Sequence, residues 1–173
     1  VKNKRGINRR EREKTGAKRI AIVGYTNAGK STLLNALTRE NIYAENKYFA
    51  TLDTTSRKLF LGQGKNVIIT DTVGFITDLP HELVDAFAST LEEAKDADLI
   101  LHIVDPTQVG KDGSSYYEKN IEVTNKVLDD IGSKCERILV FNKCDALKNT
   151  EDFEKRGILI SAKKNIGLDE LKK

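Results

Sequence analysis

The chain predicts a doubly wound α/β fold: a six-stranded, mostly parallel sheet with helices on both faces. Three observations carry that expectation. Short apolar runs alternate with helix-like stretches, a glycine-rich loop follows the first run, and polar signature residues recur just beyond later runs, where strands would end. At 173 residues one domain suffices, since a chain of this size can bury about 70% of its unfolded surface.

The elements follow in order. Ile20–Val23 is the first strand, and Lys30–Thr38 is a helix because Leu33, Leu34 and Leu37 recur at helical spacing. Lys58–Leu61 and Val67–Thr70 are too close for a crossover, so the link Gly62-Gln63-Gly64-Lys65-Asn66 makes them an antiparallel hairpin. A helix over Leu83–Ala94 leads to the strand Asp98–Val104, and a helix over Tyr116–Asp130 leads to the strand Arg137–Phe141. A short turn near Asp145–Lys148, the strand Ile158–Ile160 and a helix starting in Gly167–Lys173 complete the pattern. Helical crossovers require parallel neighbours, so a ligand belongs at the carboxyl ends of the strands.

Charge is polarised. The whole chain carries +3, yet residues 1–19 hold nine Lys or Arg against two Glu, a local +7 that leaves −4 for the remainder. Residues 1–18 read either as a solvated linker or helix end, stopped at Gly16, or as an arm contacting RNA phosphates. Residues 19–173 form the predicted domain. The chain begins with Val and contains no Met, and its last helix has barely begun at Lys173, so a fragment of a longer protein is expected. Cys135 and Cys144 offer neither metal-ligand spacing nor a disulfide framework; both read as small buried fillers of a reduced, cytoplasmic protein. No apolar run approaches the roughly 20 residues needed to cross a bilayer.

Gly24-Tyr25-Thr26-Asn27-Ala28-Gly29-Lys30-Ser31 is a complete G-x-x-x-x-G-K-S loop, with Thr32 following. Its glycines let the backbone wrap so that N–H groups and the positive end of the next helix point at a di- or triphosphate. Lys30 is placed for the β- and γ-phosphates, and the Ser31 hydroxyl for a bridging Mg²⁺. Asp71-Thr72-Val73-Gly74 fits D-x-x-G: the Asp71 carboxylate holds Mg²⁺ through water, and the Gly74 N–H senses a γ-phosphate.

Asn142-Lys143-Cys144-Asp145 fits N-K-x-D at the end of another strand. The Asp145 carboxylate can accept from both N1–H and the exocyclic amine of guanine, whereas adenine presents neither pattern there, so GTP and GDP are favoured over ATP. Ser161-Ala162-Lys163 completes the base pocket with a backbone N–H for guanine O6.

Tyr48–Ser56 is rich in hydroxyls and suits a switch that follows the nucleotide state. Thr51 is the favoured Mg²⁺ ligand there, with Thr54 and Thr55 as rivals. Phe75 stands where many switch GTPases carry a water-orienting Gln, which predicts slow hydrolysis until a partner orders the switches. Asn27 offers a side-chain carbonyl beside the phosphates for K⁺, the alternative being a loop-stabilising Asn. Lys30, Asn27, Thr51 and Gly74 are thus the groups assigned to the reaction. His81 reads as a helix-start residue and His102 as a core residue, and Tyr116-Tyr117 as helix-start packing.

Gly24–Thr32, Phe49-Ala50-Thr51-Leu52-Asp53, Asp71–His81 with its string DTVGFITDLPH, and Asn142–Asp145 together resemble the GTPase domain of the HflX family. The resemblance covers about residues 19–173. It implies a Ras-like P-loop GTPase fold, a hydrophobic residue in place of the catalytic Gln, and a cytoplasmic GTPase that binds the large ribosomal subunit, through RNA and protein, and helps separate ribosomes. It also implies a preceding N-terminal domain that is absent from this sequence, and departs at Asp53-Thr54, where the family usually has Pro. A monomer with no DNA partner is expected. The competing readings are a nucleotide-dependent binding module with negligible hydrolysis and a related GTPase of RNA processing.

Overall fold

The computed structural model describes residues 17–38, 55–62, 65–72, 74, 91–109 and 115–173. The expectations placed on residues 1–16, Thr51, Thr54, Phe75 and His81 lie outside these residues. The element order is β1 (Lys18–Gly24), α1 (Lys30–Thr38), β2 (Thr55–Gly62), β3 (Lys65–Asp71), β4 (Leu99–Val104), α2 (Tyr116–Asp130), β5 (Glu136–Phe141), a 3-10 turn (Cys144–Ala146), α3 (Glu151–Glu154), β6 (Ile158–Leu159) and α4 (Leu168–Leu171). Residues 91–95 are also helical, running one residue past the predicted helix end at Ala94.

The six strands lie in the order β2-β3-β1-β4-β5-β6. β2 and β3 pair antiparallel, with Leu59 opposite Val67, and the other neighbours are parallel. The expected hairpin and parallel core are therefore both present. β1 lies between β3 and β4, so the chain winds outward in opposite directions from it. That reversal opens a crevice at the carboxyl end of β1, where the glycine-rich loop begins.

Strand alternation divides the core. Ile22 packs on one face with Leu33, Leu34 and Leu37 of α1, Ile69, Ile103, Val140, Ile160 and Leu168. Ala21 and Val23 face the other way, against Ala94, Ile100 and Leu128 of α2. Helices thus cover both faces. Arg137 of β5 secures α2 by donating to Asn125 Oδ1 at 3.3 Å and Asp129 Oδ1 at 2.6 Å.

Three features depart from the sequence reading. The helix α3 was not anticipated; Phe153 within it meets Phe141 edge-on at 5.0 Å and Tyr117 at 5.5 Å. Cys135 and Cys144 are half-buried rather than buried, because each sits at the margin of a strand instead of inside the sheet. β1 reaches back to Lys18, which pairs with Val67. The expected core position of His102 is borne out at 3% exposure, and Tyr117 packs at the start of α2 as expected.

Candidate nucleotide site

The carboxyl ends of β1, β3, β5 and β6 converge, and each delivers one of the sequence motifs. After β1 the chain turns through Tyr25, Thr26, Asn27 and Ala28 into α1. Asn27 is exposed and adopts a left-handed backbone, φ 61, which Asn tolerates better than most residues. Its side chain therefore has a backbone reason to be Asn beside any cation role. Gly29 has φ 96, and a Cβ there would stand 2.2 Å from Asn142 Nδ2, so only glycine fits.

Lys30 is 7% exposed and donates from Nζ to the Tyr25 carbonyl at 2.9 Å. Burial pushes its pKa down to about 8, while the Asp71 carboxylate pulls it back up. Ser31 donates from Oγ to Asp71 Oδ2 at 2.6 Å, joining the loop to the end of β3 across 40 residues of sequence. Thr32 occupies the first turn of α1, half-buried. Gly74 closes over the loop: a Cβ on it would lie 2.8 Å from Lys30 Nζ and 3.0 Å from Thr26 Cα. The D-x-x-G segment and the phosphate loop therefore meet at the Lys30 ammonium.

Asn142, 3% exposed, fastens the phosphate end to the base end. Its Nδ2 donates to the Ala28 carbonyl at 2.8 Å, and its Oδ1 accepts from the Ala162 N–H at 3.0 Å. Lys143 follows in a left-handed conformation, φ 65, with its Nζ 2.6 Å from Asp105 Oδ2. Asp145 sits in the 3-10 turn, where a hydrogen bond from Ser161 foremost, helped by Lys164, holds its carboxyl below the usual range. Lys164 Nζ lies 3.7 Å from Asp145 Oδ2, and Lys163 is exposed beside it.

Of the residues predicted for the site, the structure brings together Gly24 to Thr32, Asp71, Gly74, Asn142, Lys143, Asp145 and Ser161 to Lys163. Sequence reasoning missed Asp105 and Lys164. A carboxylate at the end of β4, before Pro106-Thr107, was the available signal for Asp105. Among the described residues no cluster of three or more His, Cys, Asp and Glu side chains gathers, and no helix is long and apolar enough to cross a membrane. A site with one carboxylate and one hydroxyl is instead the donor chemistry of Mg²⁺ shared with phosphate oxygens.

A phosphate loop at the switch point of a doubly wound sheet, tied by Asn142 to an N-K-x-D turn, defines a P-loop GTPase domain. The chain belongs to the family described as 50S ribosome-binding GTPase, whose sequence model it matches over residues 19–143. It is similar to GTPase HflX of Caldanaerobacter subterraneus subsp. tengcongensis, 54% identical over 96% of this chain and 38% of that protein. The chain thus spans about two fifths of that relative's length. It also resembles a GTP-binding protein from Sulfolobus solfataricus crystallised with GDP, at 28% identity and TM-score 0.67, covering 98% of this chain and 55% of that one. Era in complex with MgGDPNP and a segment of 16S ribosomal RNA is similar at 25% identity and TM-score 0.71, over 90% of this chain and 54% of that one. The resemblance to HflX GTPases and the Ras-like fold are therefore borne out.

Proposed function

We propose that this domain binds GTP and GDP with Mg²⁺, hydrolyses GTP to GDP and phosphate, and associates with the large ribosomal subunit according to its nucleotide, in the cytoplasm. The observation that carries the reading is the double hydrogen bond of Asn142 to Ala28 and Ala162, which makes one continuous site of a phosphate cradle and a base pocket. The loop N–H groups and Lys30 take the phosphates, and Asp145 with the Ala162–Lys163 segment takes guanine.

Ser31 and Asp71 would hold Mg²⁺, with Thr51 from the switch. When bound, Mg²⁺ held there would supply charge neutralisation to the phosphates. Gly74 packs against Lys30, and its N–H is the group proposed to sense the γ-phosphate. With Phe75 in place of a water-orienting amide, turnover is slow until a partner orders the switch segments. Asn27 is the proposed K⁺ ligand, read out by faster hydrolysis in K⁺ than in Na⁺ salts. Ribosome association is supported by the family description and by the similarity to HflX GTPases.

Turnover of radiolabelled GTP with and without large ribosomal subunits tests the proposal, together with cosedimentation in GDP and in a GTP analogue. Stimulated turnover and analogue-dependent cosedimentation are expected. Nucleotide binding with neither stimulation nor cosedimentation would reduce the chain to a nucleotide-dependent binding module.

A further inference from the structure

We propose that Asp105 is a positioning residue for guanine recognition, acting through Lys143 on the turn that presents Asp145. The inference rests on the guanine-nucleotide reading above and extends it to a residue outside the recognised motifs. β4 and β5 run parallel, with Val104 beside Phe141, so the residues just past each strand end are neighbours although 38 apart in sequence. Asp105 is 5% exposed, and its two oxygens serve different partners. Oδ2 accepts from Lys143 Nζ at 2.6 Å, while Oδ1 accepts from the Thr107 N–H at 3.0 Å and the Thr107 hydroxyl at 2.6 Å. Thr107 thereby fixes the carboxylate, and the carboxylate fixes the lysine.

Lys143 needs such an anchor. It is a non-glycine residue at φ 65, a conformation unfavourable for an L-residue that persists where its surroundings enforce it. On one side Asn142 holds the backbone through Ala28 and Ala162; on the other Cys144 N–H donates to the Ile160 carbonyl at 3.0 Å. The Lys143–Asp105 pair is the side-chain tether at the bend itself. Asp145 lies two residues on, so the bend sets where its carboxylate meets the Ser161 and Lys164 contacts that hold it. A carboxylate that must meet two donors on one base edge tolerates little misdirection.

Asp105→Asn tests the link, since it keeps an oxygen for Thr107 but removes the charge that faces Lys143. The readout is the ratio of GDP to IDP affinity on the whole chain, because hypoxanthine retains N1–H and lacks the exocyclic amine. Wild type must first prefer GDP to both ADP and IDP; without that preference the guanine reading itself fails. Given it, the ratio is expected to fall about fivefold in Asp105→Asn and equally in Lys143→Met, with no further fall in the double variant, and to fall less in Thr107→Val, which keeps the backbone N–H to Asp105. A lower melting temperature with an unchanged ratio would make Asp105 merely structural and overturn the proposal. So would falls that multiply in the double variant, or a fall in Thr107→Val as large as in Asp105→Asn.

Discussion

Replacing Lys30 with Met should stabilise the nucleotide-free domain while abolishing its ligand binding. The ammonium is buried, and its protein neighbours are the Tyr25 carbonyl and the Asp71 carboxylate. Burial lowers its pKa from 10.5 to about 8, a differential worth about 3 kcal/mol at ~1.4 kcal/mol per unit. Between those values the unfolded chain binds more protons than the folded one, so stability from this group rises with pH from about 8 to 10.5. Below pH 8 the full penalty remains. Methionine removes it but leaves the Tyr25 carbonyl without its donor, returning about 1 kcal/mol. The net expectation at pH 7 is a gain of about 2 kcal/mol in urea unfolding of the apo protein, and loss of the alkaline rise expected of wild type. GDP should then add no stability to the variant, because the phosphates have lost their cation. An apo variant less stable than wild type, with the alkaline rise intact, would refute the reasoning.

Other expectations follow from single contacts. His102 is held at a pKa of about 4 by burial first and the Arg137 charge second, so the folded state stays neutral where an unfolded histidine at 6.5 takes a proton. Its contribution to stability is present above pH 6.5 and falls away as pH drops toward 4, by about 3 kcal/mol. In His102→Leu this component should vanish, measured as the difference from wild type across that interval; a difference flat with pH would contradict the assignment. Asn142→Ala leaves the Ala28 carbonyl and the Ala162 N–H without their partner and should cost about 2–4 kcal/mol in urea unfolding. It should also weaken GDP at least tenfold by titration, and unchanged GDP affinity would count against the clamp.

Much of this was legible because the motifs are local. Gly24–Ser31 and Asp71–Gly74 each lie within a few residues, and the periodic leucines of α1 gave its bounds as observed. The hairpin was forced by the short gap between β2 and β3. What stayed hidden depends on topology or on short length. Asp105 meets Lys143 only because β4 and β5 are neighbours, and Asn142 reaches Ala28 across 114 residues. Neither relation has a sequence period. The four residues of α3 are too few for one, although Thr150, whose hydroxyl donates to Glu154 at 2.7 Å, with Glu151 and Asp152 behind it, was a readable helix start. Lys164 escaped notice because its approach to Asp145 depends on how two loops at the ends of β5 and β6 face each other.

The central claim is that one site, closed at its base end by Asp145, selects guanine nucleotides. Asp145→Asn tests it most directly. The substitution turns one acceptor of the carboxylate into a donor, which suits the extra carbonyl of xanthine and opposes the exocyclic amine of guanine. Competition titration of GDP against XDP should show wild type preferring GDP and Asp145→Asn preferring XDP, with phosphate contacts and fold unchanged. GDP affinity equal in the two proteins would contradict the account.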